Sequence, residues 1–180
     1  MRPTEIVEHL LSSVAPRKEI WGAALDRGLG QGMQIEKWVL IEMIPRLKEL
    51  QAQGHITHGE SEHKYPIKKT TRYEHCDVWW QQDDDEHWLE VKTIVLTESA
   101  QLGSIKDTVK DLDKMNRLRR PFHFHHLGIV FGVSEESLPT WKKDLASTYT
   151  QHGLSFEGEW KHHLWEDKTL YSAFFGLDSV

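Results

Sequence analysis

The chain has 180 residues, of which 38% are hydrophobic, and a formal net charge of -6. This length allows one domain with its own core, and the single cysteine, Cys76, excludes an internal disulfide framework and suits a reducing cytoplasm. We expect a cytoplasmic protein without a membrane span or secretory leader, because no long apolar run and no basic-then-apolar start occurs.

The N-terminal part, residues 1–33, is predicted to form two short helices. The first ends before Pro16 and has its apolar residues at helical spacing, namely Ile6, Val7, Leu10, Leu11 and Val14. The second runs from about Lys18 to Arg27. The sequence RGLGQG follows at 27–32 and is interpreted as a flexible joint, with a phosphate-binding loop as the alternative. The joint is favoured because no strand precedes the glycines and no Lys-Ser or Lys-Thr follows at the required spacing.

A longer helix is predicted from about Gln34 to Leu50. Its apolar face consists of Ile35, Val39, Leu40, Met43, Leu47 and Leu50. Glu36 lies in the middle of that face, and a carboxylate directed at apolar side chains needs a cation or a metal. Glu36 is therefore a candidate site residue, although a Glu near a helix start also favours the helix dipole. Pro45 is expected to kink or interrupt the helix.

A hairpin is predicted over 76–94, CDVWWQQDDDEHWLEVKTI, after a strand near 63–69. A two-residue turn at 83–84 sets Trp79 opposite Trp88 and Asp77 opposite Glu90. Side chains alternate between faces, so Lys92 shares a face with these four residues. The tryptophans on this face are the ones expected to contact a nucleic acid, if any does. The other face is apolar and consists of Cys76, Val78, Trp80, Leu89 and Val91.

The paired carboxylates predict a cation site. Like charges opposite each other destabilise a sheet, and a divalent cation between Asp77 and Glu90 would offset them. Two carboxylates, a main-chain carbonyl such as that of Val91, and waters form the oxygen ligand set that Mg²⁺ prefers. Lys92 adds a donor that can orient a water or neutralise charge on a phosphate. The alternative is a solvated hairpin without chemistry.

A helix and a strand follow the hairpin. The apolar residues Ile105, Val109, Leu112, Met115 and Leu118 indicate the helix, and 127–133 reads as a buried strand, which together predict a crossover and a partly parallel sheet. Basic residues at the polar side of the helix and just beyond it are predicted to contact phosphates, unless the neighbouring aspartates make this a solvated face. They are Lys106, Lys110, Lys114, Arg117, Arg119 and Arg120.

The C-terminal part, 134–180, is predicted to contain one helix and one hairpin. The helix has Leu138, Trp141 and Leu145 on its apolar side, and the hairpin spans about 157–165 and 170–176 and packs on the sheet edge. The histidines offer a competing zinc site. His123 and His125 share a strand face and His126 points the other way, but the chain has no cysteine pair and no HExxH helix.

The element order, together with Glu36, Asp77, Glu90 and Lys92, resembles the core of the PD-(D/E)XK nuclease superfamily over about 34–133. These are restriction-endonuclease-like phosphodiesterases. The resemblance implies an α/β fold with a central mixed β-sheet flanked by helices, here in a single domain with N-terminal helices and a C-terminal β-hairpin. It implies that Asp77 and Glu90 bind metal, that Lys92 is the catalytic lysine, and that Glu36 is the helix acid. Cys76 stands where the name-giving proline would be.

The expected function is therefore an endonuclease that hydrolyses nucleic acid, DNA before RNA, with water activated by Mg²⁺ or by Mn²⁺ in its place. A homodimer or a partner subunit is compatible with this function. One alternative is a catalytically inactive nuclease-like module that binds nucleic acid or protein. Another is an unrelated α/β interaction domain, which would bind no metal. The acidic net charge is unusual for a DNA-binding protein, but a basic face can coexist with an acidic total.

Overall fold

The structure is a computed structural model that describes residues 1–15, 17, 35–69, 72–95, 123–166 and 168–177. Three helices lie within these ranges: α1 (Pro3–Leu11), α2 (Ile35–Ala52) and α3 (Leu138–Gln151). The strands are β1 (His58–Lys69), β2 (Arg72–Gln82), β3 (Asp85–Val95), β4 (His123–Ser134), β5 (Leu154–Trp165) and β6 (Lys168–Leu177). Several predicted features lie outside the described residues: the helix at 18–27, the glycine-rich stretch, and the helix at 105–118 with the basic residues from Lys106 to Arg120.

The six strands form one mixed sheet in the order β1-β2-β3-β4-β6-β5. Neighbouring strands are antiparallel except β3 and β4, which run parallel. The mixed α/β fold and the parallel pair are therefore as predicted. The C-terminal hairpin extends the sheet, since β6 pairs with β4 and β5 becomes the outer strand. Strands from the predicted core and from the predicted C-terminal part thus share one sheet.

The predicted register of the β2–β3 hairpin is confirmed for the residues that are paired in the structure. Gln82 faces Asp85 and Trp79 faces Trp88, with a turn at 83–84 between the strands. Asp83 has a φ of 55°, a left-handed conformation that Asp tolerates better than most residues. The paired register ends at Val78 and Leu89, one step before Asp77 and Glu90.

The helix α2 has the predicted apolar face, because its buried residues are the six named from the sequence. The helix is not interrupted at Pro45, which is exposed, and it ends just before Gly54, whose φ is 74°. The helix lies close to the start of β1. A Cβ on Gly59 would lie 2.7 Å from Cγ of Leu47, so the close approach depends on glycine at this position.

The sheet separates two apolar clusters. On one side, the apolar faces of α1 and α2 pack against Val78, Trp80, Leu89 and Val91. On the other side, the apolar side of α3 belongs to a second cluster, which also contains Trp79 and Trp88. All five predicted apolar positions of the first helix are buried: Ile6, Val7, Leu10, Leu11 and Val14. The predicted apolar side of the third helix is buried as well.

Two expectations about the hairpin faces are wrong. Cys76 packs with Tyr65, Trp79 and Trp88, and not with Val78 as predicted. The prediction extended a regular alternation beyond Val78, whereas the β2–β3 pairing stops there. The tryptophans are also not available for stacking on a nucleic acid, since Trp79 is 7% exposed and Trp88 is 2% exposed. Both belong to a cluster of buried residues, in which Trp88 stacks on Tyr65, and Trp79 stacks on His63.

No helix among the described residues is both long enough and apolar enough to cross a membrane.

Candidate active site

The candidate site lies where β2 and β3 stop pairing with each other. Beyond Val78 and Leu89, a side chain links the two strands. Oδ2 of Asp77 accepts a hydrogen bond of 2.7 Å from the Val91 backbone N–H. The carboxylate therefore lies against the peptide group that joins Glu90 to Val91. That the Asp77 and Glu90 carboxylates themselves meet stays a prediction.

Glu90 is buried, with 4% of its surface exposed. The Tyr65 hydroxyl donates a hydrogen bond to Oε1 of Glu90, and the Tyr65 ring stacks on Trp88 at 5.0 Å between centroids and 14° between planes. A buried carboxylate is costly unless donors stabilise it, and a hydrogen bond to a charged group contributes about 1.5–3 kcal/mol. Tyr65 is therefore a main reason why Glu90 can be accommodated inside the protein.

The charges of Glu90 and Asp77 act on the same two neighbours. Burial, followed by the charge of Glu90 and more weakly that of Asp77, raises the pKa of the Tyr65 phenol far above its usual range. The same three influences, in the same order, raise the pKa of the Cys76 thiol. Tyr65 and Cys76 thus remain protonated at neutral pH.

Glu36 and Lys92 contact each other directly. The Glu36 side chain, near the start of α2, places Oε2 3.4 Å from Nζ of Lys92. The exposed fractions of the Lys92 and Glu36 side chains are 26% and 33%, so solvent screens the pair and its contribution to stability is small. The sequence placed Glu36 and Lys92 in one site, and the structure brings them together as an ion pair.

A metal ion is implied by the resemblance, and the donors can be tested for fit. Asp77 accepts a hydrogen bond through Oδ2 and Glu90 accepts one through Oε1, and a carboxylate that accepts a hydrogen bond can also coordinate a cation. Mg²⁺ is commonly held by one or two carboxylates together with waters and substrate phosphates. The pair fits that limited role. Glu36 as a ligand and the Val91 carbonyl as a ligand stay predictions.

A metal centre made of protein side chains alone would need several suitable side chains close together. Within the part of the chain that the structure describes, no three His, Cys, Asp or Glu side chains are arranged to hold a metal ion. This includes the histidines of β4, which were the competing zinc hypothesis. His123 and His125 share one side of β4 as predicted, and both approach His87, whereas His126 contacts Tyr149 of α3.

Sequence reasoning missed Tyr65 and His87. Tyr65 lies on β1 and Glu90 on β3, so the contact joins strands that are separated by β2 and cannot be found from hairpin register alone. His87 was overlooked because its partners, His123 and His125, lie on β4 and reach it through the parallel pairing of β3 with β4. Tyr65 is followed by Pro66 and Ile67, and this local pattern gives no signal of a contact with Glu90.

Comparison of the chain with protein-family models, with curated proteins and with solved structures gave no match.

Proposed function

We propose that this protein is a Mg²⁺-dependent phosphodiesterase that hydrolyses nucleic acid, with DNA as the expected substrate. The observation that supports this most is the Asp77 carboxylate bound to the Val91 N–H, which brings one acid against the backbone of the Glu90-Val91-Lys92 motif. A sheet has no structural need for two acids at one strand end, because their repulsion destabilises it. A cation bound by both carboxylates would offset this repulsion.

Each residue of the site has its own part in the proposed hydrolysis. When bound, Mg²⁺ would lower the pKa of a coordinated water and offset charge on the phosphate. Asp77 and Glu90 would hold the cation, and the hydrogen bonds from Val91 and Tyr65 fix their orientation. The Lys92 ammonium would orient the attacking water or stabilise the charge that develops on the phosphate oxygens.

Glu36 has a supporting role in this proposal. Its contact with Lys92 keeps the ammonium near the strand end. The predicted basic helix at 105–118 would supply phosphate contacts that position the substrate without reading its sequence. A homodimer or a partner subunit remains compatible with this proposal.

A second candidate function is a nuclease-like module that binds nucleic acid or protein without turnover. The burial of Glu90 favours it, since a carboxylate that is 4% exposed in contact with Tyr65 can also serve as an internal packing element. This alternative predicts that Mg²⁺ and Mn²⁺ change neither stability nor nucleic-acid binding.

The test is cleavage of plasmid DNA and of end-labelled DNA and RNA oligonucleotides with Mg²⁺ and with Mn²⁺. Lys92→Ala should abolish cleavage but leave metal binding nearly intact, because Lys92 is proposed to act on the water or phosphate and to favour the transition state. Lys142→Ala is the matched control. Lys142 lies on α3, away from the candidate site, and also forms an ion pair with a glutamate, Glu159. If Lys92→Ala cleaves as fast as the parent across a metal titration, the catalytic assignment of Lys92 is wrong.

A further inference from the structure

We infer that the β5 edge of the sheet binds a second copy of this chain, with the two β5 strands pairing antiparallel around Trp160. β5 is the outer strand of the sheet, and β6 is its neighbour there. Among the residues that the structure describes, no strand pairs with the other edge of β5. Such an edge presents backbone N–H and C=O groups that a further strand can bind. The inference does not depend on the proposed metal chemistry.

The part of β5 best suited to accept a further strand is 158–163. Its pairing with β6 is regular over this stretch and shifts register on either side of it. The edge at β1 is less suited, since Glu62 has a φ of 56° and Pro66 has no N–H to donate. Irregularities of this kind keep sheet edges from pairing. The β5 edge is therefore the better template of the two.

The charges of this stretch favour one register. Glu159 and Lys161 lie on either side of Trp160 and share a face of β5. When two copies pair with Trp160 opposite Trp160, Glu159 of each copy lies opposite Lys161 of the other. A shift of the two-fold axis by one residue instead places Lys161 opposite Lys161, or Glu159 opposite Glu159, and like charges in such positions destabilise a sheet. The strand is thus complementary to itself in the Trp160-centred register.

Both charged residues already belong to surface ion pairs that a second copy would connect. Lys142 pairs with Glu159, and Glu135 pairs with Lys161. The Glu159 side chain is 39% exposed and the Lys161 side chain is 41% exposed, so each can contact a further charge. Pairing would give a row of alternating charge, from Lys142 and Glu159 of one copy to Lys161 and Glu135 of the other. An isolated surface ion pair contributes little, whereas several charges in a network contribute more.

Apolar side chains on β5 also favour contact between two copies. Trp160 is half-buried, and its ring centroid lies 6.4 Å from that of Phe174. In the proposed register it lies opposite Trp160 of the other copy, and cross-strand aromatic pairs stabilise a sheet. Phe156, just before the regular stretch, is 52% exposed. Because the regular stretch is short, we expect a weak dimer, with a dissociation constant on the order of 1–100 μM.

Sedimentation velocity over a range of protein concentrations, without DNA or metal, tests the pairing. The parent should change from monomer to dimer over that range. Lys161→Glu brings like charges together at Glu159, and Glu159→Lys does so at Lys161, in each case twice by symmetry. Each variant should therefore raise the dissociation constant by about 10- to 100-fold. Glu60→Lys makes the same change of charge on β1, at the opposite edge, and should dimerise as the parent does.

An equimolar mixture of Glu159→Lys and Lys161→Glu separates an interface from a structural effect. In a mixed dimer the two new charges face each other, and the two unchanged residues also face each other, so both pairs are attractive again. The mixture should dimerise about as well as the parent, although neither variant does so alone. If the mixture stays monomeric, or if the single variants dimerise as the parent does, the inference is overturned. A parent that stays monomeric throughout overturns it as well.

Cross-linking of the parent decides the case in which a variant does not fold. A mixture of isotopically labelled and unlabelled parent is treated with a carbodiimide, which joins a carboxylate to a neighbouring amine as an amide and takes up the water released. Cross-links between Glu159 and Lys161 that combine a labelled with an unlabelled peptide join two copies and support the inference. If mixed-isotope cross-links are absent, or are confined to other residues, the inference is overturned.

Discussion

Acidification should destabilise this protein through a buried histidine, His87. This residue is 6% exposed, its ring lies parallel to Trp80 at 4.9 Å, and its Nδ1 is 3.0 Å from Nε2 of His125. His123 stacks on it at 4.8 Å. Burial, and then the charges of His125 and His123, lower the pKa of His87 to about 3 from its usual 6.5.

Acid destabilises the folded protein because the unfolded chain binds a proton at His87 more readily than the folded protein does. In the unfolded chain His87 takes up a proton as the pH falls through about 6.5, whereas in the folded protein it stays neutral until about pH 3. Its contribution to the free energy of unfolding is therefore constant above pH 6.5 and decreases as the pH falls towards 3. The loss is about 1.4 kcal/mol per pH unit, or about 2 kcal/mol between pH 6.5 and pH 5.

The assay is denaturant unfolding of the parent and of His87→Gln at closely spaced pH values between 5 and 8. For a chain of this size the loss at pH 5 corresponds to a fall in melting temperature of about 4–8 °C. The variant should lose about 2 kcal/mol less than the parent over this range, because it has no imidazole to protonate at position 87. An equal pH dependence in the two proteins would refute the reasoning.

The groups around His87 define the control for this experiment. His125 lies 3.5 Å from Glu157, and His123 lies 3.7 Å from Asp85, so these carboxylates face the same histidine stack. The His123 side chain is 43% exposed, which makes His123→Gln a matched change in the same stack without removal of the buried imidazole. We expect His123→Gln to keep most of the pH dependence of the parent.

Two further changes test the site and the helix packing. Asp77→Asn should remove the stabilisation by Mg²⁺, which is about 3 kcal/mol at a hundred times the dissociation constant, and should make the metal-free protein up to about 1 kcal/mol more stable. Thermal unfolding measures both effects, with Asp84→Asn at the exposed turn as the control. A metal response that survives in Asp77→Asn would count against the site. Gly59→Ala should lower the free energy of unfolding by about 1–3 kcal/mol, because the new Cβ would meet Leu47 at 2.7 Å. Gly158→Ala, whose Cβ would have its nearest neighbour at 3.6 Å, should be close to neutral in the same denaturant titration, and equal effects of the two would contradict the packing argument.

The features that the sequence predicted well are those that depend on local periodicity. The six apolar positions of α2 repeat at helical spacing, and all six are buried. The hairpin register follows from a two-residue turn, so pairing Trp79 with Trp88 required only counting from 83–84. Information of this kind is contained in neighbouring residues and needs no knowledge of the tertiary structure.

The errors and omissions occur where distant elements decide the outcome. β1 begins at His58, five residues before the predicted start, and its charged sequence includes Glu62 with a φ of 56°, so apolar alternation could not indicate it. Glu36 was predicted as a metal ligand beside Asp77 and Glu90, and its ion pair with Lys92 was not foreseen because it depends on how α2 packs against the sheet. The bond from Tyr65 to Glu90 depends on strand order, which no local pattern specifies.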